Sequence, residues 1–269
     1  MSDRLALNTI TIKQETDLRR KIEICAEAGF AGIGMWHDDV SAFEDAGGDV
    51  REVKSWVDDL GLTVAEMCFV GGWMYAEQGA RKQALELCRR RFRQAQQLDC
   101  RHVIACAAGH AGDLAQAISD YADLCDLAAD FGVSPALEFL GGAQQVKGVR
   151  TAWEIVRRAD RPNGSVLLDT FHFHVGGSKA EHLLDIPGER IGLVHANDAP
   201  AKEGLTDSDR VFCGKGAFPL VPIFATLFGK GFTGWISLEL FNAGYWERDP
   251  ADVAAEGLET LEAVVSKAC

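Results

Sequence analysis

The sequence contains no long hydrophobic run, and this absence limits where the protein can act. No stretch of about 18 apolar residues, the length needed to span a bilayer, occurs among its 269 residues. The first residues, MSDRLALNTITIK, lack the basic start and uninterrupted apolar stretch of a signal peptide. The eight cysteines include no C-x-x-C pair, and several lie in apolar patterns where a free thiol packs as a small hydrophobic group. We therefore predict a cytoplasmic protein with reduced thiols and no membrane partner.

Basic residues are scarce relative to acidic ones. The chain has 27 Lys and Arg residues against 40 Asp and Glu residues, which gives a formal net charge of -13 and a pI of about 5.0. Such a chain repels phosphate backbones and anionic membrane surfaces. We therefore do not expect nucleic acid as a partner. We expect a small-molecule substrate instead. The sequence leaves open whether the chain forms a homo-oligomer.

The sequence also lacks linkers, low-complexity tracts and any glycine-rich phosphate turn after its first predicted strand. Short apolar segments alternate with amphipathic ones along its whole length. The predicted strands are Leu5–Ile12, Phe30–Trp36, Leu62–Val70, His102–Ala107, Ser134–Leu140, Val166–Asp169, Ile191–Ala196 and Trp235–Leu240. The predicted helices are Thr16–Ala28, Val50–Leu60, Ala80–Leu98, Leu114–Phe131, Thr151–Ala159, Ala180–Leu184, Phe218–Phe228 and Ala251–Ser266.

This alternation predicts the fold. Nearly continuous apolar strands joined by helices indicate a parallel sheet covered by helices. Eight such units in 269 residues favour a single closed (β/α)₈ barrel over residues 1–269. The alternative, an open doubly wound sheet, would be expected to carry the glycine-rich turn that LNTITIKQETD lacks.

Four metal-binding residue types end consecutive predicted strands. Glu138, Asp169, His195 and Glu239 follow apolar runs in strands five to eight, at the end of a barrel where active sites lie. Each residue alone is as easily a solvated or ion-paired side chain as a ligand, but four neighbours in one rim favour a shared role. Three carboxylates and one imidazole suit one divalent cation such as Mn²⁺, Mg²⁺, Co²⁺ or Zn²⁺, which would also remove their mutual repulsion.

The segment SVLLDTFHFHVGG places two histidines directly after Asp169. In a straight strand, Asp169 and His172 would point to opposite faces. They converge only if the chain leaves the strand immediately after Asp169. His172 would then be placed to donate to a substrate oxygen. His174 is either a support behind His172 or a packed core residue, and the sequence leaves this open.

A connection of about twenty residues, 197–217, shows no helical or strand pattern. Long loops in compact domains are often binding loops. This loop carries Arg210, which is either an exposed loop arginine or a group that reaches back to a hydroxyl or carboxylate. It also carries Lys215, between two glycines, to which no role is assigned.

Aromatic residues follow several of the strand ends. Trp36 and Trp73 are predicted to line the substrate pocket, where aromatic faces pack against sugar-like rings and exclude water. Tyr245 and Trp246 have either that role or a role in an oligomer interface. Asn8, in the first predicted strand, completes the set of candidate substrate contacts.

With these residues in place, the chain resembles the xylose-isomerase-like barrel superfamily of sugar isomerases and epimerases. Within it, the sequence looks most like the 2-keto-myo-inositol (inosose) isomerases. The resemblance covers most of the chain and is strongest in ALEFLG, SVLLDTFHFHVGGS, LVHANDAP, LTDSDRVFCGKGAF and ISLELFNAGYW. The segment LLDTFHFH together with a long loop that contains DR is more specific than the four metal-ligand residue types alone.

The resemblance implies an activity and residue roles. It implies metal ligation by Glu138, Asp169, His195 and Glu239, and substrate contacts from His172 and Arg210. Isomerisation would run through an enediolate, with Glu138 and Glu239 as base and acid, in inositol or carbohydrate metabolism.

The sequence departs from the superfamily at two positions that bear on the substrate. Members often end strand two with an acid, where this chain has Gly34 followed by Met35 and Trp36. The long loop reads FCGKG where a proline–glycine pair is common. The departures put the particular sugar in doubt while leaving the expected metal ligands in place.

Three other functions compete with isomerisation. A metal-dependent lyase on the same barrel, such as a 3-dehydroshikimate dehydratase or an eliminase of oxidised glycosides, needs the same enolate followed by loss of a leaving group. The superfamily's endonuclease branch needs many histidines and a basic groove, and this acidic chain has seven histidines in all. A non-enzymatic binding barrel would not need the complete ligand set.

Overall fold

The computed structural model describes residues 2–269, so that Met1 lies outside the described residues. In this part of the chain, eight parallel strands pair in sequence order, and the first also pairs with the last, which closes the barrel. The strands are β1 Leu5–Asn8, β2 Gly32–Trp36, β3 Thr63–Val70, β4 His102–Cys106, β5 Ser134–Glu138, β6 Ser165–Asp169, β7 Ile191–Ala196 and β8 Trp235–Leu238. The predicted (β/α)₈ barrel is confirmed. The prediction of a single domain over residues 1–269 stays a prediction.

Helices connect the strands along the outside of the barrel. Among residues 2–269 the α-helices are α1 Leu18–Ala28, α2 His37–Asp45, α3 Val50–Asp59, α4 Gln78–Gln97, α5 Leu114–Ala129, α6 Val149–Ala159, α7 Thr170–Val175, α8 Leu220–Gly229, α9 Ala243–Trp246 and α10 Pro250–Lys267. Short 3-10 helices are Ser2–Arg4, Thr9–Ile12, Ala180–Leu183, Gly188–Arg190 and Asp207–Asp209. None of the helices in the described range is both long and apolar enough to cross a membrane.

Side-chain alternation along the strands separates the barrel interior from the helix-facing layer. Ala136 and Leu167 lie two residues before Glu138 and Asp169, so each pair shares one face of its strand. Both apolar residues belong to a small buried cluster with Cys68, Ile104 and Leu193. A much larger apolar cluster packs the opposite faces of the strands against the helices. The acids at the strand ends therefore lie above a packed barrel interior.

Several strands and helices differ from their predicted bounds. β1 ends at Asn8 rather than Ile12, because the Asn8 side chain accepts from the N–H of Ile10 and starts a 3-10 helix. β5 and β8 end at Glu138 and Leu238, two residues earlier than predicted. The short helices α2, α7 and α9 were not predicted, because apolar or aromatic residues at strand ends obscure where the chain turns.

Candidate metal centre

The structure brings the four predicted ligands together at one point of the barrel mouth. Glu138 and Asp169 are the last residues of β5 and β6, His195 lies in β7, and Glu239 directly follows β8. Parallel pairing aligns Asp169 with His195 across the β6–β7 ladder. One potential ligand atom from each of the four buried residues lies within 4.8 Å of all the others.

The two ring nitrogens of His195 have contrasting surroundings. Nε2 lies 2.7 Å from Oε2 of Glu66. Nδ1 lies 3.1 Å from Glu239, 3.5 Å from Glu138 and 3.8 Å from Asp169, each distance measured to a carboxylate oxygen. This nitrogen is buried and has no partner in hydrogen-bonding geometry among the described residues. A buried nitrogen that faces three carboxylates without a hydrogen bond fits a divalent cation, which would bind all four groups.

Burial and charge shift the pKa values of the cluster in different directions. Burial opposes ionisation of Asp169, but the charge of Arg210, together with that of His195, holds the pKa of this carboxyl well below its usual range. Burial likewise opposes ionisation of Glu138, and proximity to His195 outweighs it and lowers the pKa. Burial raises the pKa of Glu239. For His195, burial favours the neutral ring, yet Glu239 and other carboxylates raise its pKa well above the usual value.

Arg210 is almost fully buried beside this cluster. Its Nη1 donates to Asp169 Oδ2 at 2.6 Å and to Glu239 Oε2 at 3.0 Å. Its guanidinium carbon lies 4.9 Å from the ring centre of Phe171 and 5.2 Å from that of Phe241. Arg210 is therefore not an exposed loop arginine, and it reaches back to the carboxylates. The arginine supplies positive charge to two of the candidate ligands.

The long loop 197–217 positions Arg210 through its own hydrogen bonds. Buried Asp198 forms an antiparallel backbone bridge with Val211. The Asp198 carboxylate accepts from four backbone N–H groups, which belong to Ala199, Gly214, Gly216 and Phe218. Asn242 donates to the carbonyl oxygen of Arg210 at 2.8 Å. The loop is irregular, as predicted, but it is anchored at both sides of the arginine.

The chain leaves β6 immediately after Asp169, as the convergence of Asp169 with His172 requires. The Asp169 carboxylate caps α7 by accepting from the N–H of His172 at 2.9 Å. Arg210 Nη2 lies 3.4 Å from His172 Nε2, and since arginine only donates, this nitrogen is the acceptor. The neutral ring then carries its proton on Nδ1, which has no partner among residues 2–269. His174 is exposed and stacks on Phe218, with ring centres 4.2 Å apart, so it does not support His172.

A cavity of about 160 Å³ opens above the four ligands. Its polar wall comes from Glu138, His172, His195, Asp207, Arg210 and Glu239. Its apolar and thiol wall comes from Trp36, Cys68, Phe69, Ile104, Cys106, Leu140 and Phe241. An adjoining cavity of about 500 Å³ shares Phe69, Cys106 and Leu140 with it. The cavity above the ligands combines charged groups with aromatic side chains.

Not every predicted substrate contact lines this cavity. Trp36 does, but Trp73 is buried in the core, with its ring centre 6.0 Å from that of Tyr121. Trp73 lies in the connection that follows β3, and it falls outside the cavity because its side chain packs into the core. Asn8 is also fully buried and reaches the site from below, through a bond from Nδ2 to Glu239 Oε1 of 3.2 Å.

The unassigned residues have structural positions. The Tyr245 ring packs on Phe212 at 4.2 Å, and Trp246 donates to the carbonyl oxygen of Ile10 at 2.8 Å. Lys215 is exposed. None of these three predicted positions, 215, 245 and 246, lines the cavity above the ligands.

The sequence patterns missed the buried acid that contacts His195. Glu66 lies within β3, is fully buried and contacts His195. Its signal was present in LTVAEMCFV, where a carboxylate interrupts an apolar strand. Cys68 and Cys106, which line the cavity, were likewise interpreted as packing residues, and Cys106 Sγ lies 3.1 Å from Glu138 Oε2.

Fold and site together define the class of protein. The model of the xylose isomerase-like TIM barrel family matches residues 22–264. The chain belongs to this family.

Individual relatives divide between two activities. A 3-dehydroshikimate dehydratase of Pseudomonas aeruginosa is 31% identical over 258 residues, which cover 93% of this chain and 40% of that protein. An inosose isomerase of Bacillus velezensis is 38% identical over 148 residues, which cover 54% of this chain and 53% of that protein. The chain thus spans about half or less of the length of these curated relatives. A crystal structure of the IOLI protein with a bound zinc atom shares the fold, with a TM-score of 0.93 at 24% identity and 99% coverage of both chains.

Proposed function

We propose that this protein is a metal-dependent isomerase or epimerase of a keto-sugar or keto-cyclitol of the inosose type. The observation that carries the proposal is the buried set of Glu138, Asp169, His195 and Glu239, whose ligand atoms lie within 4.8 Å of one another beneath a cavity. The inosose isomerase of Bacillus velezensis, which this chain resembles over half its length, supports the substrate class. The activity would proceed through an enediolate of the substrate.

The four residues would hold the metal ion. A divalent cation bound there supplies positive charge that stabilises the negative charge developing beside a substrate carbonyl. The ion would come from the group Mn²⁺, Mg²⁺, Co²⁺ and Zn²⁺, and the zinc atom in the IOLI structure supports zinc within this group. The cytoplasmic location and a homo-oligomer stay predictions.

Glu138 and Glu239 are the proposed proton carriers. Their environments shift their pKa values apart, downward for Glu138 and upward for Glu239. A carboxylate that stays ionised accepts a proton from the substrate carbon, and a carboxyl with a raised pKa returns one to the neighbouring carbon. Both side chains approach His195 Nδ1 from different strands, at 3.5 Å and 3.1 Å, so a bound substrate carbon can lie between them.

The remaining polar groups of the cavity would orient the substrate. The Nδ1–H of His172 is the proposed donor to a substrate oxygen, because its other nitrogen faces Arg210. Arg210 keeps Asp169 and Glu239 in place through its two hydrogen bonds. Trp36 meets Phe69 and Phe241 edge-on, with ring centres 5.7 Å and 5.9 Å apart, and this aromatic group limits the access of water.

A lyase is the second candidate function. The dehydratase of Pseudomonas aeruginosa aligns with 93% of this chain, a larger share than the inosose isomerase does. Dehydration of a β-hydroxy ketone begins with the same abstraction of a proton beside a carbonyl and ends with expulsion of the hydroxyl group. In that case Glu239, whose pKa is raised, would protonate the leaving oxygen instead of a carbon.

Proton exchange with solvent distinguishes these reactions. The metal-loaded protein is incubated in heavy water with inosose, with fructose-like ketoses, with 3-keto-glycosides and with 3-dehydroshikimate, and the products are followed by NMR. Deuterium incorporation together with an isomer supports the isomerase. A stoichiometric dehydrated product without an isomer establishes the lyase instead. Absence of both from every substrate contradicts the proposed chemistry.

Metal binding is expected to release a proton and to weaken as the pH falls. The raised pKa of His195 means that Nδ1 of the metal-free ring is protonated at neutral pH, and a cation must displace this proton. Below that pKa the affinity should fall about tenfold for each pH unit. Calorimetric titrations with Zn²⁺ in two buffers of different ionisation enthalpy should show the release of about one proton per ion. The His195→Gln variant should lose this proton release, whereas identical heats in both buffers for the unaltered protein would contradict the expectation.

A further inference from the structure

Glu66 is a buried acid that the proposed mechanism does not use. It lies in β3, is fully buried, and has polar contacts at both carboxylate oxygens. Oε1 accepts from Ser237 Oγ at 2.7 Å and from Asn8 Nδ2 at 3.0 Å. Oε2 lies 2.7 Å from His195 Nε2.

The orientation of Asn8 is fixed by its other contacts. Its Oδ1 accepts from Trp36 Nε1 at 2.8 Å and from the N–H of Ile10 at 3.1 Å, and both of these groups can only donate. The amide nitrogen must therefore face the two carboxylates, Glu66 and Glu239. Since an amide NH₂ only donates, Oε1 of Glu66 is the acceptor at this contact.

The contact of Oε2 assigns a proton to one nitrogen of His195. Oε1 already accepts from Asn8 and Ser237, and Oε2, as a carboxylate oxygen, accepts from Nε2–H, so that Nδ1 is left to face the three carboxylates. We infer that Glu66 is a positioning residue for the metal centre, because it holds the His195 ring in the tautomer whose Nδ1 lone pair binds the ion. This inference rests on the proposed function, and it assigns a role to a residue beyond the four ligands and the proton carriers.

Gly34 of β2 provides the space that Glu66 occupies. A Cβ atom at this position would lie 2.3 Å from Glu66 Oε1 and 2.9 Å from its Cγ, distances that no packing tolerates. The glycine in the middle of β2 therefore has a physical reason. A carboxylate from β3 fills the space beside Gly34 and reaches His195 from below.

The group formed by Glu66, Cys68 and His195 is not a second metal site. Its potential ligand atoms also lie within 4.8 Å of one another. However, the two hydrogens of Asn8 Nδ2 are shared among Glu66, Cys68 and Glu239, and Ser237 donates to Glu66. These donors already hold the Glu66 carboxylate. In this cluster, only the Nδ1 side of His195 is left open.

The Glu66→Gln variant tests the inference through the tautomer. Asn8 Nδ2 can only donate, so the oxygen of the new amide must face it, and the NH₂ must then face His195 Nε2. With the ion on Nδ1, the ring must keep its proton on Nε2, where it meets this NH₂ instead of an acceptor. The dissociation constant for Zn²⁺, measured by competition with a chromophoric chelator, should rise about 10- to 100-fold. Nitrogen NMR of isotope-labelled His195 in the metal-free protein, at a pH where the ring is neutral, should show the proton on Nε2 in the unaltered protein and on Nδ1 in the variant.

Two further variants separate positioning from general loss of structure. Gly34→Ala should weaken Zn²⁺ binding in the same direction, because the added methyl group displaces Glu66 without altering any ligand. Glu189→Gln, an exposed acid before the start of β7 and therefore at the end of the barrel opposite the ligands, should leave the affinity unchanged. A folded Glu66→Gln variant that binds Zn²⁺ as tightly as the unaltered protein, with only a lower melting temperature, would overturn the inference alone. Failure of the unaltered protein to bind any divalent ion would overturn the proposed function as well.

Discussion

Replacing Glu138 with Gln is expected to abolish exchange of the substrate C–H proton with solvent. The amide keeps the size of the side chain at the end of β5 but cannot accept a proton, and it removes one negative charge from the ligand set. Loss of a general base costs about 10²- to 10⁴-fold in rate. Deuterium incorporation measured by NMR at saturating metal would report the loss.

Glu239→Gln should give a different result. If Glu138 abstracts the proton and Glu239 returns it, this variant still exchanges the substrate proton with solvent but forms little isomer. The exposed Glu181→Gln should match the unaltered protein in both measurements. Metal content measured on the same samples separates loss of the ion from loss of the proton carrier. A Glu138→Gln variant that retains both metal and full exchange would exclude Glu138 as the base.

The fold was predictable because its strands are buried on both faces. Parallel strands of this kind are continuous apolar runs, and β7 has the predicted bounds Ile191–Ala196. The predicted bounds were wrong where a side-chain hydrogen bond, and not the apolar pattern, ends a strand or begins a helix. The strand bounds of β1 depend on one hydrogen bond from Ile10 to the Asn8 side chain, and α7 begins only because Asp169 caps it. Local composition does not reveal either event.

The candidate site was predictable to the extent that it lies at strand ends. Glu138, Asp169 and Glu239 each follow an apolar run, which makes a lone acid conspicuous. Glu66 lies inside a strand, and its partner Ser237 is 171 residues away, so only the closed barrel reveals their contact. Trp73 illustrates the converse limit, because an aromatic residue after a strand packs into the core as readily as into a cavity.

Arg210→Met is expected to destabilise the metal-free protein far more than the metal-loaded protein. Without the guanidinium, the buried carboxylates of Asp169 and Glu239 lose the hydrogen bonds of 2.6 Å and 3.0 Å that offset their charge. Removing one member of a buried ion pair costs about 3–5 kcal/mol of unfolding free energy. A divalent cation on the same carboxylates offsets most of this cost. Urea denaturation with a chelator present, and again with excess Zn²⁺, would measure both values.

The pH dependence of the unfolding free energy shows whether Arg210 acts through its charge. The lowered pKa of Asp169 contributes stability above its unfolded-state pKa, and this contribution is lost as the pH falls towards its folded-state pKa. The difference between the metal-free proteins should therefore begin to shrink below about pH 4. Arg158→Met, which removes a surface pair with Glu154, should cost about 1 kcal/mol or less under every condition. If Arg210→Met instead costs the same with and without Zn²⁺, Arg210 stabilises the site by packing between its aromatic neighbours, because a charge effect would respond to the ion.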